Sequence, residues 1–242
     1  MTVAGSDRRV DDDASPPPVV FADAAIVVVD KPSGMPSVPA RTPLDPPAVA
    51  VRLAAAFGPL EAVHRLDRDT SGLLVLARSR AARATLGIAF ERRLVTKRYL
   101  AIVTGRPPGA EGTIELPLAP DPDRPPRHRV DPVLGKQAAT RWQLVAASAA
   151  GDAPTSLLAI EPLTGRSHQI RVHLAWLGCP IVGDRLYGVA SGTTAGLPAG
   201  PALALHAAAL ELPHPSTGER LAFTAPPPRA PPWTGFPAVY PD

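Results

Sequence analysis

The 242-residue chain predicts an α+β domain, a mixed and largely antiparallel sheet with flanking helices and loops. Three observations predict it. Apolar, β-branched runs of strand length recur along most of the chain. Ala-rich segments with helical spacing are few and stand between those runs. ATRWQLVA and SLLAIEPL face one another across a Gly-containing turn, the pattern of a hairpin. The length suits one domain with small appendages. With 45% hydrophobic and 19% charged residues, a sizeable core can be buried.

Residues 1–19 are polar, acidic and then proline-rich, which predicts a disordered leader. One folded domain is expected over 20–225, with its core beginning near Phe21. AAIVVVD, ending at Asp30, reads as a buried strand, and KPSGM after it as a turn. AVAVRLAAAF suits a short helix closed by Gly58. AVHRLD, a polar loop and LLVLAR read as strand, loop, strand. Arg80 to Arg93 has the spacing of a helix, and KRYLAIVTG that of a strand ended by Gly105. Pro107 to Pro132 is mostly loop, with TIEL a candidate strand. The hairpin follows, its turn expected near Gly151. TGRSHQ is a polar loop and RVHLAWLG a helical segment capped by Gly178. PIVGD, ALALHAAALEL and ERLAFTA close the domain as extended segments and loops. Residues 226–242 form a proline-rich tail, read as a surface strap or a disordered end.

Net charge is +3 and the sequence pI about 9.4. The distribution is more informative than the total. Arg65, Arg68, Arg78, Arg80, Arg83, Arg92, Arg93, Lys97, Arg98 and Arg106 fall in a stretch whose acids are Asp67, Asp69 and Glu91. Such a stripe suits a solvated surface and an RNA-facing one equally. Cys179 is the only cysteine, which excludes an intramolecular disulfide and a multi-cysteine zinc site. With no apolar signal core and no spanning run, a soluble cytoplasmic protein is expected.

The most informative segment is HRLDRDTSGLLVLARS, from His64 to Ser79. On its own, Asp67 beside Arg65 and Arg68 is a turn carboxylate in ordinary ion pairs. The whole segment, however, resembles the signature of the RluA-type pseudouridine synthases, H-R-L-D-x-x-T-S-G followed by an apolar strand. VVDKPSGMPSVP, KRYLAIVTG, TGRSHQIRVHLAWLGCPIVGDRLYG and LALHAAALELPHP resemble further segments of that family in the same order. The resemblance runs from about Phe21 to Ala225. It implies the pseudouridine synthase catalytic fold, isomerisation of uridine in ribosomal or transfer RNA, and residue roles. Asp67 is the implied nucleophile, which fits covalent catalysis at C1′ or C6 or by way of a glycal. A carboxylate in a closed pocket tends to gain a proton unless a cation faces it, and Arg171 is the implied cation, its planar fork gripping the carboxylate. Tyr99 matches a tyrosine that stacks on the target base and is a candidate for proton transfer. Arg65 matches an arginine that fills the gap left by an extruded uridine. Leu205 is a candidate lining of the uracil pocket, and His64, Arg166, His168 and Gln169 are candidate substrate contacts. Where the family often carries a histidine before a proline, this chain has Ser37, Val38 and Pro39. Too few residues precede KPSG for the S4-type module of some members, so the catalytic domain is expected to stand alone, as a monomer.

Two other classes compete. A metal-dependent hydrolase would need paired ligands, but His168 and His173 are five apart, neither a helical pair nor a strand-face spacing. His206 and His214 add no such pattern, and Ser71 lacks G-x-S-x-G. A non-catalytic RNA binder would use the basic stripe but has no need of Asp67. Neither a Walker motif nor a dinucleotide fingerprint is present. No metal, no nucleotide cofactor and no other cofactor is expected.

Overall fold

The computed structural model describes residues 15–39, 46–148, 154–188 and 202–237. Its centre is a sheet built from β1 (Val19–Ala22), β2 (Ile26–Lys31), β3 (Glu61–Ala62), β4 (Ser71–Ala77), β5 (Thr96–Thr104), β6 (Glu111–Glu115), β9 (Ala139–Ser148), β10 (Thr155–Pro162), β11 (Leu205–Pro213) and β12 (Arg220–Thr224). The main path runs β1-β2-β4-β11-β5-β10-β9-β6. Among the described strands only β4 and β11 pair in parallel. The expected mixed, largely antiparallel sheet is therefore the observed one. A separate ribbon of β7 (Leu118–Pro120) and β8 (His128–Val130) stands beside it.

Both faces of the sheet are covered, which explains why VVV in β2 and LLVL in β4 show no polar alternation. Ile26, Val28, Leu73, Val75 and Ala77 pack against Ala82, Leu86 and Ala89 of α2 (Arg80–Glu91). Val27, Val29, Leu74 and Leu76 point the other way, into a core shared with Val49 and Leu53 of α1 (Val49–Phe57). Ser79 caps α2 by accepting from the Ala82 N–H. α3 (Gln169–Trp176) is short and buried along much of its length, and Gly178 (φ +81°) turns the chain after it.

Two boundaries differ from expectation. The sheet starts at Val19, inside the segment read as leader; residues 1–14 lie outside the described residues. AVHRLD is not a strand beyond Ala62. The next ladder position would use the Val75 N–H, but that donor goes to His64 Nε2 at 3.1 Å. The chain leaves the sheet edge there and enters the Asp67 loop. The β9–β10 pairing confirms the hairpin, while the turn near Gly151 lies outside the described residues. In the tail, Trp233 and Phe236 pack against the core, and a 3-10 turn spans Trp233–Gly235.

Candidate active site

Asp67 sits in the loop between β3 and β4, held from behind by the KPSG turn. Lys31 is fully buried, and its Nζ donates to the carbonyls of Pro32, Met35 and Arg68 at 2.8–3.0 Å. Burial pushes this amine down to about 7, while Asp69 and Asp67 pull it back. The Ser37 hydroxyl donates to the Leu66 carbonyl at 2.8 Å and accepts from the Leu66 N–H at 3.0 Å. The Gly34 N–H reaches the Arg68 carbonyl. Each residue around Asp67 is thus tied to the loop that follows β2.

Arg171, on the first turn of α3, donates through Nη1 to Asp67 Oδ2 at 3.0 Å. Its fork is not spent on Asp67, as expected, but on Asp184. Nε and Nη2 reach the two Asp184 oxygens at 2.8 Å each. The Leu186 and Tyr187 N–H groups fix the same carboxylate in a turn. Burial alone would lower the Arg171 pKa; the hydrogen bonds and charge of Asp184, then of Asp67, more than offset it and raise it. Asp184 aims the guanidinium, and its remaining edge faces Asp67.

Asp67 and Arg171 line a cleft of about 840 Å³, with Asp184 behind Arg171. Asp67, Tyr99, Leu205, Arg171 and His168 line it, with Arg65, Arg93, Lys97, Arg166 and His128 adding positive or titratable edges. Tyr99 pairs with Ala207 across β5 and β11, and burial with the nearby Asp67 charge pushes its hydroxyl pKa up. Arg65 is exposed at the cleft and makes no side-chain hydrogen bond among the described residues. Arg166 reaches the Gln137 carbonyl from the rim at 3.1 Å.

Two candidate contacts line the cleft but are engaged in internal hydrogen bonds. Gln169 is buried with its amide fully used: it accepts from Thr164 Oγ1 and the Arg166 N–H, and donates to the Ala139 carbonyl and Thr140 Oγ1. It shapes the TGRSH loop and has no hydrogen bond left for a ligand. His64 stacks on Phe90 with centroids 4.8 Å apart and spends Nε2 on the Val75 N–H; burial, and secondarily Lys97, depress it to about 3. It is a neutral brace in the cleft wall. His173 and His206 are likewise engaged internally, with Thr140 and Leu116 and with Ser71 and Ala225. Among the described residues no group of three His, Cys, Asp or Glu could hold a metal.

Sequence reasoning missed Lys31, Ser37, Asp184 and Tyr187. Lys31 and Asp184 lie inside segments already singled out, but nothing local marks Asp184 as the partner of an arginine thirteen positions earlier. Its one signal is the Gly-Asp turn after the apolar pair Ile181–Val182, the first of them buried.

A cationic cleft with an arginine-held carboxylate at its floor is the site of an enzyme working on a polyanion. Residues 25–176 match the profile of the family described as RNA pseudouridylate synthase. The chain is 40% identical over 208 residues to the dual-specificity RNA pseudouridine synthase RluA of Escherichia coli O6:H1, covering 86% of this chain and 92% of that one. It is 39% identical over 207 residues to the RluA of Haemophilus influenzae, covering 86% and 91%. The human RNA pseudouridylate synthase domain containing 1 superposes with a TM-score of 0.74 at 27% identity, over 96% of this chain and 88% of that one. The chain belongs to the RNA pseudouridylate synthase family, and its class of reaction is isomerisation.

Proposed function

We propose that this chain converts specific uridines of ribosomal or transfer RNA into pseudouridine, with Asp67 as the nucleophile. The observation that carries the reading is the Asp67–Arg171–Asp184 arrangement at the cleft floor, 3.0 and 2.8 Å apart link by link. The atoms balance without a co-reactant. The C1′–N1 bond breaks, a C1′–C5 bond forms, C5 gives up its proton and N1 takes one. Asp67 attacks the sugar or base, or assists a glycal route, and Arg171 keeps the carboxylate aimed. Tyr99 and Leu205 hold the base, and Arg65 fills the stack behind it. Extrusion is required because the reacting atoms are inaccessible inside a helix. The basic rim supplies phosphate contacts that position the RNA.

The relatives' names include a dual-specificity RNA pseudouridine synthase, which supports more than one RNA target. We assign the protein to the cytoplasm, as a monomer working without metal or nucleotide cofactor; no helix among the described residues is long and apolar enough to cross a membrane. The test is to map pseudouridine in RNA from cells with and without this chain. One or more sites should vanish in its absence and return when purified protein acts on the same transcript in excess EDTA. An unchanged map would overturn the reading, and turnover lost to EDTA on a still-folded transcript would overturn the metal-free part.

A further inference from the structure

His168 is held at a cost that its backbone does not need. It precedes α3 in the left-handed region, at φ 54°, where a glycine would sit without strain. Its side chain accepts no capping bond and donates none to the helix. The strain therefore serves what the imidazole does elsewhere.

The ring is placed from both ends. Nδ1 lies 2.8 Å from the Tyr187 hydroxyl, and Nε2 lies 3.9 Å from Asp67 Oδ2. The same Tyr187 oxygen accepts the His128 backbone N–H at 2.7 Å. Among the described residues the hydroxyl proton has His168 Nδ1 as its one hydrogen-bond acceptor, and we assign that direction, which puts the proton of the neutral ring on Nε2. Burial favours that neutral form, drawing the pKa down; Asp67 opposes this, Arg171 and His128 reinforce it, and Asp184 opposes it more weakly. Tyr187 is itself pinned, its ring lying under Arg127 and Arg171 at 5.2 Å each. The Nε2–H thus points toward the catalytic carboxylate but stays beyond hydrogen-bond range of it. The gap leaves that donor open to a ligand oxygen held beside Asp67.

We propose that His168 is a further catalytic residue, whose Nε2–H donates to the O2 carbonyl of the departing uracil, with Tyr187 fixing the tautomer that makes this donation available. This rests on the pseudouridine reading. As C1′–N1 breaks, its electron pair spreads over N1, C2 and O2; the hydrogen bond strengthens as that charge grows, and the proton stays on His168. Donors aimed where charge develops act on the barrier more than on binding. Tyr99, with its hydroxyl pKa pushed up, is a weaker donor for the same task.

A better leaving group needs this help less, which separates chemistry from mere support. Single-turnover cleavage of the N1 bond is measured on a stem-loop transcript carrying the mapped target as uridine or as 5-fluorouridine, whose fluorine stabilises the uracil anion. His168→Asn tolerates the left-handed backbone and removes the reach. It should slow cleavage of uridine about a hundredfold, a typical loss for one such donor, and of 5-fluorouridine far less, with RNA affinity unchanged. Tyr187→Phe should show the same selectivity with a smaller loss. Equal losses on both substrates, in both variants, would overturn the catalytic role. A wild-type protein that converts neither substrate would instead overturn the reading beneath it.

Discussion

Asp67 and Arg171 show how far a single side chain can be understood alone. Arg171 serves two carboxylates, and the fully buried one is Asp184, whose side chain is 0% exposed. Arg171→Ala therefore strands a buried charge as well as freeing Asp67. Breaking such a pair costs about 3–5 kcal/mol, so thermal denaturation of Arg171→Ala should show a marked loss beside the loss of activity. Arg171→Lys supplies one point charge to two partners and should recover only part of both. Asp184→Asn keeps the turn and weakens the grip on the fork; activity should fall even though Asp184 lines no part of the cleft. Wild-type turnover in Asp184→Asn would show that Arg171 is aimed by something else. That Asp67, Arg171, Tyr99 and Arg65 share one cleft was legible because short motifs carry them. Asp184 was not, because its partnership is made by tertiary folding.

At the scale of elements, the site depends on where β4 leaves β11. The two strands pair only at Ser71–His206 and Gly72–Ala207 before β12 takes over the edge of β11. Gly72 permits this contact. Its φ is +105°, and a Cβ there would lie 2.3 Å from the Ala207 carbonyl oxygen. Gly72→Ala combines backbone strain with a clash that neither strand can relieve locally, a loss of about 3 kcal/mol or more. Chemical denaturation should show that loss, and activity should fall with it, since β4 begins four residues after Asp67. An unchanged midpoint would mean that the β4–β11 contact is softer than its geometry. The helix and strand runs of this region were readable from apolar pattern. The early end of β3 was not, because a side-chain acceptor, His64 Nε2, displaces the backbone from the Val75 N–H.

Across the whole molecule, buried histidines set an acid limit. His206 donates from Nε2 to the Ala225 carbonyl and accepts at Nδ1 from Ser71, a pattern that only the neutral ring satisfies. Burial depresses it from 6.5 to about 4, the Ala225 bond opposing. Its folded pKa lies below its unfolded one, so between these values the unfolded chain binds the extra proton. Stability is full above about pH 6.5 and falls as pH drops, by about 1.4 kcal/mol per unit. His206→Gln should flatten the stability–pH slope by about one proton in that window; an unchanged slope would show that His206 does not titrate there.

The fold class and most strands of the central sheet were visible in one chain because apolar runs and turn residues repeat locally; the order of the strands in the sheet, β1 and the β7–β8 ribbon were not. What escaped the sequence was the layer behind the site, Lys31, Ser37, Asp184 and Tyr187, whose bonds join segments far apart in the chain. The proposed chemistry turns on the Asp67 carboxylate. The most direct measurement is single-turnover conversion of the mapped uridine by Asp67→Asn, with RNA affinity measured beside it. The amide keeps the shape and removes the charge, and phosphate contacts from the rim carry most of the binding. Conversion should disappear while affinity stays within a few-fold of wild type. Conversion near the wild-type rate in Asp67→Asn would contradict carboxylate chemistry at this position and the function built on it.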